Sequence, residues 1–384
     1  ASNLIQYGKL RGSYAQVSGG ADPYGLDLSY GLDDRNYNDQ VLQSITTTTI
    51  PNKNLKPLIS TEYEAGLEMQ LLNGLLYFDV AYYNKKVKDD IVSVNVPNSS
   101  GYNKALLNTG NVNNSGFELM AEIKPLRNKL KWTSRIVYSK NYNKVISLGN
   151  IESIQIGAAK NDVVTVNIEK GQPYGVIKGS VFKRDDKGSI VYDKDGYPMV
   201  GDRSTILGTG FHDRIAGFTN RFDYGNFSLS FHIDGKFGGS LYSQTNRWAV
   251  AAGKHPMTLE GREKGIVGAG VKEDGKANDV LVTPDKLSSY YSRLTTIHEA
   301  FMYDASFIKF RELSLSWRIP KSIYQKITLS NASISLVARN LFYLMNKVDN
   351  VSPESSVSSS NVQGLENSGY PEARTIGFNL NLTF

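Results

Sequence analysis

The chain ends with the stretch Arg374-Thr375-Ile376-Gly377-Phe378-Asn379-Leu380-Asn381-Leu382-Thr383-Phe384. Side chains alternate between the two faces of an extended strand, so the apolar residues of this stretch share one face and its glycine, asparagine and threonine residues share the other. The apolar face continues to an aromatic carboxyl terminus, where a strand of a soluble protein would usually fray. Lipid on one side, a polar lumen on the other and an aromatic residue at the interface are typical of a strand in an outer-membrane β-barrel.

The composition agrees with a barrel and excludes several other classes of protein. No stretch of the 384 residues approaches the ~20 consecutive apolar residues of a membrane helix. A membrane protein without such a stretch must be a barrel, because only helices and closed barrels satisfy every backbone group in lipid. The chain has no cysteine, which excludes a disulfide scaffold and a thiolate metal site. Its net charge of +6 is spread out rather than gathered in a basic stripe, so we expect no nucleic-acid partner.

The same alternation recurs along the chain in pairs of segments joined by tight turns. Apolar and polar residues alternate from Thr61 to Leu71 and, after a turn at Leu72-Asn73-Gly74, again from Leu76 to Tyr82. About ten long strands are expected, at residues 4–17, 61–71, 76–82, 117–124, 130–139, 215–224, 227–234, 305–320, 333–344 and 374–384. The pattern predicts an all-β fold, a membrane-spanning antiparallel β-barrel.

One of these strands changes phase. Ile308 and Phe310 are in one phase, whereas Leu313, Leu315 and Trp317 are in the other. A β-bulge near Arg311-Glu312 would reconcile the two halves, because one extra residue reverses the facing. Alternatively, the first half of the strand lies outside the lipid.

The connections between the strands alternate between short and long. The short ones are near residues 72–74, 125–129, 223–226 and 319–328, and the long ones are residues 18–57, 89–113, 147–210, 239–300 and 346–369. Outer-membrane barrels have short periplasmic turns and long extracellular loops. If the carboxyl terminus is periplasmic, all five long loops are extracellular.

Ten strands in lipid would leave two unpaired edges, at a cost of several kcal/mol for each unsatisfied backbone group. Either the strands close on themselves, or they complete a larger barrel, which we favour. The first residues already have the pattern of a strand, and no signal peptide precedes them. We therefore expect residues 1–384 to be the C-terminal portion of one transmembrane barrel domain, whose N-terminal part lies outside this chain.

Several phrases of the sequence resemble the SusC/RagA-type TonB-dependent outer-membrane transporters. They occur in family order, and they are Asn54-Leu55-Lys56-Pro57 with residues 61–68, Asn108-Thr109-Gly110-Asn111-Val112-Asn113-Asn114-Ser115-Gly116-Phe117-Glu118-Leu119, Asp304-Ala305-Ser306-Phe307-Ile308-Lys309-Phe310-Arg311-Glu312-Leu313-Ser314-Leu315, Ala338-Arg339-Asn340-Leu341-Phe342, and Tyr370-Pro371 with Arg374-Thr375. The resemblance implies a plugged barrel of about 22 strands, to which this chain would contribute the C-terminal part. The family's plug and TonB-contacting segment have no counterpart here.

The resemblance also implies a function. Transporters of this family import nutrients such as oligosaccharides or peptides across the outer membrane of Gram-negative bacteria, using TonB and a SusD-like surface lipoprotein as partners. The barrel would lie among outer-membrane lipid and lipopolysaccharide. Its last strand would serve as the signal for barrel assembly, through Phe378, Leu380, Leu382 and Phe384. The alternative function is a passive porin or a surface-adhesin barrel, and a third class is a soluble β-sandwich binding module.

The charged residues of the strands do not form a catalytic site. Glu62, Glu64 and Glu68 share one strand face, but nothing supplies a nucleophile or a matched acid–base partner, so we expect no enzyme and no cofactor. We expect the lumenal charges to pair across strands and with a plug rather than to form a substrate path. These are Glu62, Glu64, Glu68, Glu118, Glu122, Lys131, Arg135, Asp234 and Lys236.

The candidate metal ligands also have simpler explanations. Asp185-Asp186-Lys187-Gly188 and Asp193-Lys194-Asp195-Gly196 resemble fragments of calcium loops, but neither continues to a glutamate at the twelfth position, so we expect hairpin turns. The four histidines lack metal-ligand spacing, so we expect no metal site. They are His212, His232, His255 and His298.

The long loops contain the candidate substrate-binding residues. Residues 240–248 and 288–293 mix aromatic side chains with amide and guanidinium donors, a combination that stacks on sugar faces and hydrogen-bonds hydroxyl or peptide groups. The candidates are Tyr242, Asn246, Arg247, Trp248, Tyr290, Tyr291 and Arg293. The alternative is that these side chains pack between loops or anchor at the membrane interface. Residues 351–360 are rich in serine, which indicates a mobile loop tip or a contact with the lipoprotein.

Overall fold

The computed structural model of the chain describes residues 4–21, 27–45, 48–50, 52–159, 164–324, 328–358 and 360–384. In chain order its strands are β1 (Ile5–Gly19), β2 (Tyr30–Tyr37), β3 (Gln40–Ile45), β4 (Thr49–Ile50), β5 (Leu58–Leu71), β6 (Leu76–Asn95), β7 (Lys104–Arg127), β8 (Leu130–Ser147), β9 (Ser153–Ala158), β10 (Thr165–Glu169), β11 (Val176–Gly179), β12 (Val191–Tyr192), β13 (Thr205–Thr209), β14 (Arg214–Tyr224), β15 (Phe227–Phe237), β16 (Ser240–Ser243), β17 (Val271–Lys272), β18 (Met302–Asp304), β19 (Phe307–Arg318), β20 (Asn331–Asn346), β21 (Leu365–Glu366) and β22 (Thr375–Thr383). The α-helices are α1 (Gln244–Ala251), α2 (Leu287–Leu294) and α3 (Lys321–Tyr324).

Ten long strands form one antiparallel sheet in the order β1-β5-β6-β7-β8-β14-β15-β19-β20-β22, and we call this sheet the wall. Each strand pairs with the next long strand along the chain, as in a series of hairpins. The expected ten strands and the antiparallel all-β fold are therefore confirmed. Within the part of the chain that the structure describes, β1 and β22 do not pair with each other, so each leaves one edge of the wall open.

The residue pairing supports the predicted facing of the strands. Leu380 lies opposite Ile334, and Ile334 lies opposite Trp317, so these apolar side chains form one row across three strands. On the other face, Asn379 lies opposite Ser335, whose hydroxyl is 2.8 Å from the hydroxyl of Ser316. One face of the wall is thus apolar and the other polar, as expected for lipid and lumen.

Aromatic rings continue the apolar face over neighbouring strands. The ring centroids are 5.7 Å apart for Trp132 and Phe222, 5.8 Å for Phe231 and Phe310, and 6.3 Å for Phe227 and Trp317. Cross-strand aromatic pairs of this kind each contribute about 0.2–1 kcal/mol to a sheet. They therefore fix the register on the face that is expected to meet lipid.

The β-bulge predicted in β19 is confirmed at Arg311. His232 of β15 lies opposite Glu312, and the next residue, Ile233, lies opposite Phe310, so Arg311 is the extra residue. The pairing of β19 with β20 is interrupted at the same place. Because one residue is skipped, Phe310 and Leu313 share the apolar face although they are three residues apart.

Short and long connections between the strands of the wall alternate, as predicted. The turns between paired strands are residues 72–75, 128–129, 225–226 and 319–330, and the long connections at the opposite end of the wall are residues 20–57, 148–213, 238–306 and 347–374. The prediction of a long loop at residues 89–113 is wrong. β6 and β7 continue pairing as far as Asn95 and Lys104, beyond an irregularity at Asp89, so only residues 96–103 connect them.

Three long connections fold together into what we call the loop domain, residues 148–213, 238–306 and 347–374. It contains a four-stranded sheet in the order β13-β11-β10-β9, a three-stranded sheet in the order β18-β16-β21, and helices α1 and α2. Its core takes residues from all three connections. They are Val164, Val166, Ile177, Tyr192, Tyr242, Val250, Val282, Leu287, Tyr290, Tyr291, Leu294, Phe301 and Leu365. No helix among the described residues is long and apolar enough to cross a membrane.

Candidate functional site

Four of the seven predicted binding residues are buried in the loop domain. Tyr242 in β16 has no exposed surface, and Tyr290 and Tyr291 on α2 pack with it in the same core. Asn246 on α1 is also fully buried, and its amide nitrogen donates to the hydroxyl of Tyr303 (3.0 Å) and to the carbonyl of Asp349 (2.9 Å). These side chains therefore pack and cross-link loops in this structure, as in the alternative considered for them.

The other three predicted binding residues lie nearer the surface. Arg247 is half-buried, and its Nε donates to the carbonyl of Thr295 over 2.7 Å. Trp248 retains 37% of its side-chain exposure, and Arg293 is exposed. A direct role in substrate binding stays a prediction for all seven residues, of which Arg247, Trp248 and Arg293 retain the most surface to meet a ligand.

Glu366 of β21 positions helix α1. Its carboxylate accepts hydrogen bonds from the hydroxyl of Ser243 (2.7 Å) and from that of Thr245 (2.6 Å), at the first turn of α1. Ser243 also caps the helix, since its hydroxyl accepts from the backbone N–H of Asn246 over 3.1 Å. A carboxylate at a helix N-terminus is stabilised by the unpaired N–H groups and the helix dipole. The connection of residues 347–374 is in this way fastened to the connection of residues 238–306.

Five of the nine charged residues expected on the lumenal face form ion pairs with a neighbouring strand, namely Glu62, Glu64, Glu122, Arg135 and Asp234. Glu122 lies opposite Arg135 at 2.6 Å, and Glu64 accepts from Arg11 at 3.4 Å. Glu62 faces Lys85 at 3.9 Å, Glu68 accepts from the hydroxyl of Tyr77 at 2.9 Å, and Asp234 faces Arg311 at 2.8 Å. The polar face of the wall is therefore held largely by its own ion pairs.

A charged cluster joins the wall to the connection of residues 347–374. Lys309 and Arg311 of β19 both contact the carboxylate of Glu354, at 3.2 Å for Lys309 and 2.9 Å for Arg311. Lys309 is almost fully buried, and its ammonium also pairs with Glu372 and lies 4.7 Å above the ring of Tyr343. Burial alone would raise the pKa of Glu354, but the hydrogen bonds and charges of Arg311 and Lys309 outweigh it and hold that pKa below its usual range. The connection is thus fastened to the lumenal face by buried charge pairs.

Two cations meet at this point because Lys309 and Arg311 are two residues apart in β19. Lys309 lies opposite Tyr343, and Arg311 is the extra residue of the bulge. Both side chains therefore reach the same lumenal carboxylates, because residues two apart in a strand share a face, and the bulge adds Glu312 to that face. The Ser-rich segment 351–360 is accordingly not free along its whole length, because Glu354 lies within it.

A cavity of about 540 Å³ lies between the lumenal face of β6, β7 and β8 and the loop domain. Its wall side carries Asn114, Asn141 and Asn143, and its loop side carries Tyr174 and Phe211. Asn114 lies opposite Asn143 in the β7–β8 pair, so the carboxamides gather on one face. The sequence pattern alone did not single out these residues, because asparagines in strands carry no signal until the register and the overlying loops are known.

The candidate metal sites are turns or structural contacts. The carboxylate of Asp185 accepts from the backbone N–H of Lys187 (3.0 Å) and of Ser189 (2.8 Å), and Asp193 makes the same bonds to Asp195 and Tyr197. These are turns stabilised by an aspartate side chain, as expected. Among the described residues, no group of three or more histidine or carboxylate residues is placed to hold a metal ion.

Each of the four histidines makes a hydrogen bond within the protein. His298 is buried, and its Nδ1 accepts from the backbone N–H of Ser180 over 3.2 Å. Burial, together with the charges of Arg247 and Arg203, lowers the pKa of His298 to about 4. His212 contacts the carbonyl of Ala305, His232 the hydroxyl of Thr219, and His255 the backbone N–H of Met257.

Comparisons with known proteins agree with this architecture. The sequence profile described as TonB dependent receptor-like, beta-barrel matches residues 3–341. The chain is 25% identical to TonB-dependent receptor P26 of Formosa agariphila, over 98% of this chain and 40% of that protein. It is 23% identical to TonB-dependent receptor SusC of Bacteroides thetaiotaomicron, over 87% of this chain and 32% of that protein.

Solved structures show the same fold. The structure of the RagAB peptide transporter superposes with a TM-score of 0.74 at 19% identity, covering 100% of this chain and 42% of that chain. This chain therefore spans about two fifths of the length of the P26 receptor and of the RagAB chain, and about one third of the length of SusC. The resemblance to SusC/RagA-type transporters and the partial-barrel fold are confirmed. The chain belongs to the TonB-dependent receptor-like β-barrel family, a family of transporters and not of enzymes.

Proposed function

We propose that the full-length protein imports oligosaccharides or peptides across the outer membrane of a Gram-negative bacterium by a TonB-dependent mechanism. The observation that carries this proposal is the wall: ten antiparallel strands with an apolar outer face, a charge-paired inner face and long connections gathered at one end. Such a wall separates lipid from a polar path. RagAB, with which the fold superposes, is a peptide transporter, which supports peptides as one substrate class.

The wall is proposed to be the C-terminal part of a larger barrel. β1 and β22 each have an edge without a strand partner among the described residues, and such edges are costly in lipid. Relatives of the family are more than twice as long as this chain. We therefore expect the remaining strands and an N-terminal plug, with the TonB-contacting segment, to come from the rest of the polypeptide.

The orientation follows from the two ends of the wall. The tight turns lie at one end, together with the carboxyl terminus, and the loop domain lies at the other. Outer-membrane barrels place their short turns in the periplasm and their long loops outside. The loop domain is thus proposed to face the extracellular medium, where a SusD-like lipoprotein would cover it.

Transport and partner are tested separately in the native host. Uptake of labelled oligosaccharides and peptides is compared in cells with the gene, without it, and with TonB removed. Uptake that needs both the gene and TonB supports the proposal, whereas uptake that persists without TonB indicates a passive porin. Affinity purification of the full-length protein from outer membranes should recover a surface lipoprotein in near-stoichiometric amount, and its absence would contradict the partner.

A further inference from the structure

The cavity between the wall and the loop domain has the size and position of a ligand site. Its volume of about 540 Å³ falls within the range of roughly 300–1,000 Å³ found for small-molecule pockets. It opens on the lumenal face of the wall beneath the loop domain, where a transported molecule would pass. Its lining combines four asparagines with aromatic side chains that include Tyr174 and Phe211; the asparagines are Asn114, Asn141, Asn143 and Asn361.

The carboxamides on the wall are held in place by one another. Asn143 donates from its amide nitrogen to the carbonyl oxygen of Asn114 over 2.7 Å, and Asn141 donates to the same oxygen over 3.4 Å. The hydroxyl of Tyr83 in turn donates to Asn141 over 3.0 Å. Within the described part of the chain, the amide nitrogen of Asn114 has no acceptor, so its two N–H groups remain available to a ligand. A fixed donor pair of this kind suits hydroxyl oxygens.

The loop side of the cavity supplies an aromatic surface. Tyr174 and Phe211 pack edge to face with their ring centroids 6.4 Å apart. Tyr174 is fastened to the wall, because its backbone N–H donates to the side-chain oxygen of Asn143 over 2.6 Å. Gly175 makes this packing feasible: its φ is +75°, and a Cβ there would lie 2.6 Å from the ring of Phe211. The aromatic surface is therefore rigid, as a stacking platform for a ligand must be.

The charge of the lining selects against anions. Asp90 and Asp213 both line the cavity, and no lysine or arginine is among its described lining residues, although the chain carries a net charge of +6. Asp213 is already paired with Arg214 at 3.2 Å, whereas Asp90 has no ion pair among the described residues, so it is the lining carboxyl that would repel an added negative charge. An acidic sugar, or the carboxylate of a short peptide, would find no cation here. A carboxylate can accept hydrogen bonds from adjacent sugar hydroxyls.

We propose that this cavity is a binding subsite for a neutral oligosaccharide, an inference that rests on the proposed transport function and narrows its substrate class. Tyr174 and Phe211 pack against the apolar face of a sugar ring, while Asn114 donates to its hydroxyls and Asp90 accepts from them. Neutral sugars satisfy all of these groups at once. Peptides with free termini and acidic sugars leave a charge unpaired, which costs affinity.

The test measures binding to the full-length protein in detergent by isothermal titration calorimetry. The probes are the neutral hexasaccharides cellohexaose, maltohexaose and xylohexaose, the anionic hexagalacturonate, and hexaalanine. We expect at least one neutral hexasaccharide to bind more tightly than the anionic and peptide probes. Asn114→Ala should weaken that binding by roughly 5- to 10-fold, the effect of losing one or two hydrogen bonds.

The matched control is Asn84→Ala. Asn84 lies on the same sheet but on the opposite face from Tyr83, so its removal should change affinity less than about twofold. Phe211→Leu removes the aromatic face and keeps the bulk, and it should also weaken neutral binding. It serves as the second variant if Asn114→Ala does not assemble. Asp90→Asn should strengthen binding of hexagalacturonate.

Several results would overturn the assignment. They are equal effects of Asn114→Ala and Asn84→Ala, binding of none of the neutral probes, or tighter binding of hexaalanine or hexagalacturonate. The transport proposal is judged separately, by TonB-dependent uptake in cells. Uptake that needs TonB but is unchanged by Asn114→Ala rejects the subsite and leaves the transport function standing, whereas uptake independent of TonB rejects the transport function itself.

Discussion

Replacing Glu354 with glutamine should loosen residues 351–358 of the connection 347–374, which Glu354 fastens to the wall. Glu354 accepts hydrogen bonds from Lys309 at 3.2 Å and from Arg311 at 3.0 and 2.9 Å, in the same buried cluster. The glutamine keeps the shape of the side chain but removes its charge. Hydrogen bonds to charged groups contribute about 1.5–3 kcal/mol, and breaking a buried ion pair outright costs about 3–5 kcal/mol.

The expected cost lies below that upper range. Asp234 still faces Arg311 at 2.8 Å, and Glu372 still pairs with Lys309, so neither cation is left alone. We therefore expect Glu354→Gln to lower the free energy of local opening by about 1–3 kcal/mol. Since each 1.4 kcal/mol is a factor of about ten, amide hydrogen exchange in residues 351–358 should accelerate by roughly 5- to 150-fold.

The assay is hydrogen exchange by mass spectrometry on the full-length protein, and Glu312→Gln is the matched control. Glu312 lies on the same strand and pairs with Arg339 at 2.8 Å, but the two side chains are 39% and 60% exposed. Exposed pairs contribute about 0–1 kcal/mol, so the control should leave exchange in residues 351–358 nearly unchanged. Equal acceleration by the two variants, or acceleration spread evenly over the wall, would refute the reasoning.

The same cluster predicts a pH dependence. The pKa of Glu354 is lowered in the folded state, so the contribution of its charge is fully present above the ordinary pKa of glutamate. It should be lost only as the pH falls through the lowered value, when the folded carboxylate becomes protonated. In the native protein, exchange in residues 351–358 should therefore rise at acidic pH, and in Glu354→Gln that rise should be absent.

The remaining predictions concern facing, orientation, acid stability and assembly. Leu380→Arg should lower the amount of assembled barrel, because a charge on the lipid face costs about 2–4 kcal/mol. Asn379→Arg, on the lumenal face, should not lower it. Equal amounts of heat-modifiable protein for the two variants would contradict the assignment of Leu380 to the lipid face. Lys187→Cys should react with an impermeant maleimide on intact cells, unless the loop domain is periplasmic. Because the pKa of His298 is about 4 when folded and about 6.5 when unfolded, the loop domain should lose roughly 3 kcal/mol of stability as the pH falls from 6.5 to 4, measured by hydrogen exchange, and His298→Asn should abolish this loss. Deleting Phe384 should lower outer-membrane abundance in surface labelling, and normal abundance would exclude a role in assembly.

The sequence by itself determined the wall. Strand facing depends on a two-residue period that is local to each segment, so the alternation in Thr61–Leu71 and in the last strand predicted the fold directly. Even the bulge at Arg311 followed from a local change of phase. The extension of β6 and β7 through residues 89–95 and 104–113 did not, because consecutive apolar residues, Ile91-Val92 and Leu106-Leu107, interrupt the alternation on which the prediction depended.

Only the tertiary structure decided the loop domain and the sites within it. Tyr242 and Tyr290 have the composition of binding residues, but they are buried because three connections far apart in sequence share one core. Asn114 and Phe211 belong to one cavity although no local pattern joins them, since the cavity depends on strand register on one side and on loop packing on the other. Contacts between distant segments arise from packing and charge pairing in three dimensions, and a periodic pattern along the chain does not predict them.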